Sequence, residues 1–201
     1  MRTQRNILWI AATILLFPCI AHADTPAGTW RFFGLHASPS GDFSGTIDGI
    51  PAGIEADSAV GFGTTYEIRT SEWLGFEFGL LAADFDFKLS AMGQTIDFGS
   101  ALMMPLTFGM NVHVVRGERV GVHLGPVAAY TLWGNLETSV GNAELDGSFD
   151  LGAKVGLDLS IGSSGWAIHV GALYLTSSAG DSSLEIGVDP LMVQVGFAKS
   201  F

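Results

Sequence analysis

Phe98-Gly99-Ser100-Ala101-Leu102-Met103-Met104-Pro105-Leu106-Thr107-Phe108-Gly109-Met110-Asn111-Val112-His113-Val114-Val115 runs for 18 residues without an ionised side chain. In length it resembles a membrane-crossing helix. Its polar or helix-disfavouring members, Pro105, Thr107, Asn111 and His113, fall at alternate positions. Opposite them stand Leu102, Met104, Leu106, Phe108, Met110, Val112 and Val114. Alternation with a period of two places one set of side chains on each face of a strand. In hydrocarbon every backbone N–H and C=O must be bonded internally, so strands cross a bilayer only as a closed barrel.

The N-terminus is of a different kind. Arg2 and Arg5 precede an apolar stretch from Ile7 to Ile20, followed by Ala21-His22-Ala23. A basic start, a short apolar core and an A-x-A end predict a secretory signal peptide over residues 1–23. The apolar core falls short of the roughly 20 residues a retained transmembrane helix needs. Cleavage after Ala23 would leave residues 24–201 as one domain. It also removes Cys19, the only cysteine, and with it any disulfide or thiolate metal site. Seven basic side chains then face twenty acidic ones, a balance that argues against nucleic acid, whose phosphates would repel it. The mean hydropathy is nonetheless positive, as expected of a membrane protein without helices.

The alternation recurs in eight segments: 28–38, 58–69, 72–86, 101–115, 119–133, 149–161, 166–176 and 190–201. One face of the second carries Val60, Phe62, Thr64, Tyr66 and Ile68, and one face of the seventh Trp166, Ile168, Val170, Ala172 and Tyr174. Eight is the smallest usual strand number for a bacterial outer-membrane barrel. The expected fold is all-β: an eight-stranded, up-and-down antiparallel transmembrane β-barrel. Connections alternate in length. Thr70-Ser71, Arg116-Gly117-Glu118 and Gly162-Ser163-Ser164-Gly165 are tight, whereas 39–57, 87–100, 134–148 and 177–189 are longer, polar and glycine-bearing. Short periplasmic turns and long external loops are the outer-membrane pattern, which puts both termini on the periplasmic side. Trp30, Trp73, Trp166 and Phe201 then form an inner aromatic girdle at the membrane interface, with Trp133 at the opposite rim.

The last strand carries a resemblance. Asp189-Pro190, Gly196 and the terminal Phe201 are similar to the closing pattern of the OmpW family of outer-membrane proteins, and Met104-Pro105-Leu106 and Gly125-Pro126 resemble that family's fourth and fifth strands. Lys199 departs from the pattern, standing where relatives usually place an aromatic; its stem permits it to snorkel to the interface. The resemblance implies a porin-like channel or receptor in the bacterial outer membrane for small hydrophobic molecules. It also implies outer-membrane lipids as surroundings, and recognition of the C-terminal strand by the barrel-assembly machinery.

Read independently, the inward face divides in two. Near the periplasmic end it collects Arg31, Glu67, Glu77, Asn111, His113, His123, Lys154, Asp158 and His169, each of opposite parity to the lipid-facing set of its strand. Higher up it turns apolar with Phe33, Leu35, Leu81, Met103, Val127, Leu173, Leu175 and Met192. An eight-stranded barrel is just wide enough to be filled by side chains or to hold one small ligand. Two readings stay open: an apolar pocket open to the outside above an ionic plug, or a solid core in a structural or surface-interaction barrel.

No catalytic role is expected. There is no H-E-x-x-H, no G-x-S-x-G and no glycine-rich phosphate loop before a helix. Ser177, Ser178, Asp181, Ser182 and Ser183 have no histidine in their loop, and His36 is the only histidine expected near the outer end. No cofactor and no dedicated metal site is expected. The long loops carry Asp42, Asp48, Glu55, Asp57, Asp97, Glu137, Glu144, Asp146, Asp181, Glu185 and Asp189. Such carboxylates could meet divalent cations at a lipid surface, although solvated loop surface is the default.

Overall fold

A computed structural model of the 201-residue chain describes residues 28–47, 50–91, 93–138, 141–180 and 185–201. The signal-peptide segment 1–23, Asp48 and Asp181 to Ser183 lie outside the described residues. Eight long strands form the wall: β1 (Gly28–Ser38), β2 (Ala59–Arg69), β3 (Leu74–Ala91), β4 (Gln94–Arg116), β5 (Val120–Trp133), β6 (Ser148–Ile161), β7 (Trp166–Thr176) and β8 (Leu191–Ser200). Each pairs antiparallel with its chain neighbours, and β1 pairs with β8, so the sheet closes on itself and leaves no free edge around the ring. Closure is what allows strands to sit in lipid.

The wall sorts side chains by parity. Outward stand Phe62, Phe78, Phe108, Leu124, Leu151, Val155, Val195 and Phe197, all exposed. An apolar band that encircles the molecule is unfavourable in water and is satisfied by acyl chains. Inward side chains are mostly buried.

Most strand bounds fall within one or two residues of those expected, but the region 87–100 does not. Expected as a loop, it continues as a hairpin: Lys88 pairs with Asp97, Leu89 with Ile96, Ser90 with Thr95 and Ala91 with Gln94. Phe85, Phe87 and Leu89 carry the inward alternation upward, and Phe85 and Phe87 are fully buried. Gly93, at φ +76°, takes the left-handed conformation at the tip, which glycine adopts without steric cost. A register shift at Phe87/Lys88 marks the passage from barrel wall to projecting hairpin, and such bulges bend a strand locally.

The other long connections also pair. Asp42–Ile47 and Ile50–Ala56 form a hairpin whose second arm adds to the upper part of β3. Leu136–Thr138 pairs with Gly141–Ala143 and touches β4, and Ser178–Gly180 pairs with Glu185–Gly187. Lys88 meets Asp57 at 2.6 Å above the ring, and that hydrogen bond, with the charge behind it, raises the lysine pKa. These hairpins all stand at one end of the barrel; the tight turns and both described chain ends stand at the other.

Candidate functional site

The lower lumen begins with a conflict built into the register. Glu67 on β2 lies directly opposite Glu77 on β3, and facing like charges repel. Arg31 of β1 resolves it. Its Nη1 donates to Glu77 at 2.9 Å and its Nη2 to Glu67 at 3.0 Å, while Nη2 also reaches Asp158 of β6 at 2.8 Å. The planar guanidinium can serve three carboxylates because its donors are fixed in a fork. It is almost completely buried.

The remaining polar groups surround this centre. The Asn111 amide donates to Glu67 at 2.9 Å and to Glu77 at 3.1 Å. Lys154 Nζ donates to Glu77 at 2.5 Å. His113 Nε2 lies 2.5 Å from Glu67 Oε1, and His169 Nδ1 lies 2.7 Å from Asp158 Oδ1. His123 faces His113 across the β4–β5 pair and stacks on His169 at 6.1 Å. The structure therefore brings all nine polar inward residues into one network drawn from seven strands. Two glycines make the room. A Cβ at Gly75 would collide with the Glu67 carboxylate, and one at Gly156 with the His123 ring.

Above the network the lumen is mainly apolar, with Thr131 and Asp150 among its buried polar residues. Phe33, Leu35, Leu81, Met103, Val127, Leu173, Leu175 and Met192 are 0–5% exposed and belong to one cluster. The cluster continues upward through Phe85, Phe87 and Trp133 to the loop residues Ile54, Leu136, Ala179, Ile186 and Val188. At the boundary between the two halves lies a cavity of about 20 Å³ beside Thr65, Glu77, Leu81, Thr107, Lys154 and Leu173. That is room for about one water molecule. Thr65 Oγ1, buried and without a protein partner, is a polar group such a water would satisfy.

Trp133 needs correction. Expected as an outer-rim aromatic, it points into the barrel and packs on Phe85 at 6.3 Å and Phe87 at 6.5 Å. The reason is parity, since it shares a face with His123, Val127 and Thr131 and not with outward Tyr130. Trp30 does face outward, but it is only 7% exposed: Phe32 stacks on it at 5.5 Å, Tyr66 at 5.3 Å, and its Nε1 donates to Thr64 at 2.6 Å. Trp73, Trp166 and Phe201 are exposed at the lower end. Lys199 lies among them, its Nζ 5.5 Å from the Trp166 ring and donating to the Ser164 carbonyl at 2.5 Å. Among the described residues, no cluster of three or more His, Cys, Asp or Glu side chains is arranged to hold a metal ion.

Several buried polar groups, among them Thr65, Thr131, Asp150 and Gln194, escaped the sequence reading. Asp150 on β6 shares the inward parity of Lys154 and Asp158 and is 1% exposed. The Thr131 hydroxyl donates to its Oδ2, while Oδ1 has no partner. Parity would have found it, since the expected strand 149–161 already included it.

The fold is that of small bacterial outer-membrane barrels. OprG from Pseudomonas aeruginosa superposes with a TM-score of 0.72 at 18% identity, covering 88% of this chain and 96% of OprG. The outer-membrane protein AlkL, solved in DMPC bilayers, gives a TM-score of 0.63 at 16% identity over 90% of this chain and 92% of AlkL. Neisserial surface protein A gives 0.58 at 12% identity over 87% and 99%. No model of a known protein family matches the sequence. A comparison with curated protein sequences likewise finds no match.

Proposed function

We propose that the chain is an OmpW-like barrel of the bacterial outer membrane, exported by a cleaved segment 1–23, and that it admits small hydrophobic molecules through its upper lumen. It is oriented with the loop hairpins outside and the tight turns in the periplasm. The observation that carries this reading is the division of the lumen. A charged network centred on Arg31 fills one end, and an apolar column reaches into the loops at the other. Phe33, Leu35, Leu81, Met103, Val127, Leu173, Leu175 and Met192 line the path, and the Arg31-centred network closes it to ions from below. The protein acts as a channel or receptor and not as an enzyme.

The alternative, a structural or surface-interaction barrel with a solid core, is favoured by one specific fact: these apolar side chains are nearly inaccessible in this conformation. Passage therefore requires the loop hairpins to lift. Uptake of an apolar compound into vesicles, or its block of single-channel conductance, separates the two. Met103→Lys and Leu173→Lys should abolish either signal while the barrel still inserts, because both sites face inward. Leu106→Lys, on the lipid face, should impair insertion, since a charge near the bilayer midplane costs about 2–4 kcal/mol. Normal insertion of the inward lysines with unchanged transport would establish the solid core instead.

A further inference from the structure

We infer that the outer wall around the seam of β7, β8 and β1 carries a binding site for an anionic glycerophospholipid. Lys199 holds the phosphate, and the acyl chains lie along the outward face of β8. The site stands at the tight-turn end of the barrel. Its assignment to the periplasmic leaflet rests on the orientation proposed above; the binding itself does not.

Lys199 is the position at which the closing strand departs from the OmpW-like pattern. Of the three lysines, Lys154 faces the lumen and is taken by Glu77, and Lys88 meets Asp57 above the ring. Lys199 instead shares the outward parity of exposed Val193, Val195 and Phe197. Among the described residues no carboxylate forms an ion pair with it; its Nζ donates to the Ser164 carbonyl at 2.5 Å. That bond uses one of the three N–H donors of an ammonium group. An anion from outside the chain can take the others.

The surroundings set the depth. Lys199 lies opposite Trp30 on β1 and opposite Trp166 on β7, and its Nζ is 5.5 Å from the Trp166 ring and 5.9 Å from that of Phe201. Tryptophans gather at the level of lipid headgroups, so the ammonium sits where phosphates do. The next outward row is Phe32, Phe197 and Ile168, side by side and all exposed. From Lys199 to Val193 the strand runs about 20 Å. At a tilt of about 40° that spans about 15 Å along the membrane normal, half of a hydrocarbon core about 30 Å thick. A cation at one end of an apolar strip one leaflet deep complements a single phospholipid, phosphate at Lys199 and chains above.

Charge then selects the headgroup. A choline lipid carries its own cation beside the phosphate, whereas phosphatidylglycerol carries none. One basic side chain near an anionic lipid surface favours association by about fivefold.

The test is native mass spectrometry of the full barrel in detergent micelles, titrated with dioleoyl-phosphatidylglycerol or dioleoyl-phosphatidylcholine. The wild-type protein should bind the first phosphatidylglycerol about fivefold more tightly than the first phosphatidylcholine. Lys199→Met, which keeps the stem and loses the charge, should bring the two to parity, and Lys199→Arg should retain the preference. Lys88→Met and Arg119→Met should leave it unchanged, with heat-modified migration showing that each variant is folded. Should Lys199→Met fail to fold, the wild-type preference must still shrink as ammonium acetate is raised, since salt screens an exposed charge. Equal binding of both lipids by the wild-type protein would mean that Lys199 is merely hydrated and tied to Ser164. A preference unchanged in Lys199→Met, or lost in Arg119→Met instead, would put the anion elsewhere; each of these results overturns the site. Because the lipids are added to isolated protein, none of them bears on orientation, which protease treatment of intact cells tests separately.

Discussion

Arg31 shows how much of this barrel depends on one side chain. Among the described residues it is the only group that touches Glu67, Glu77 and Asp158 together, and the first two face each other across a strand pair. Without it the three carboxylates keep Lys154, Asn111 and the histidines as partners, and breaking a buried charge cluster in this way costs about 3–5 kcal/mol. Arg31→Leu should therefore lower the urea midpoint of the refolded barrel strongly, or prevent refolding, as read by heat-modified migration. Replacing Glu67 and Glu77 by Gln in the same variant should recover much of the loss, because the repulsion goes with the charges. A full recovery by Arg31→Leu alone, with no destabilisation, would mean the network is solvated and not a seal. Parity made these residues legible in the sequence, but that Arg31 is the hub was not, since the hub depends on how far strands are staggered around the ring.

At the scale of the element, alternation was a sufficient guide wherever a strand crosses the apolar band. It failed above the band. The hairpin of β3 and β4 past Phe87 carries the paired charges Lys88 and Asp97 and a glycine at its tip, and so resembles a loop in composition. It remains a strand because its inward Phe85 and Phe87 are buried and its edge pairs with residues 52–56 of the neighbouring arm. The seam between β1 and β8 is the element on which closure depends. The Phe201 N–H donates to the Gly28 carbonyl at 3.0 Å and finishes that seam, while its ring is exposed. Deleting Phe201 should lower the yield of heat-modifiable barrel in cells several-fold, because the terminal aromatic is expected to be read by the assembly machinery. In vitro refolding into micelles should change much less. An undiminished cellular yield would show that this strand is recognised by something other than its last residue.

For the whole molecule, the asymmetry of the two ends leads to a prediction about orientation. Protease added to intact cells should nick within 39–57 or 134–148 and spare 116–119 and 162–165; cutting confined to the short turns would invert the topology. The sequence by itself determined the class: a period of two, a positive hydropathy without a helix of spanning length, and eight segments with alternating long and short connections admit one architecture, because lipid forbids unpaired backbone. It also determined which side chains face inward, since parity is local to a strand. Only the tertiary structure decided who meets whom. The distances that make Arg31 a hub, the turning of Trp133 onto Phe85 and Phe87, and the unpartnered oxygen of Asp150 all depend on register between strands far apart in the chain. Register is a property of the closed ring, set by the mutual fit of all eight strands, and no single segment contains it.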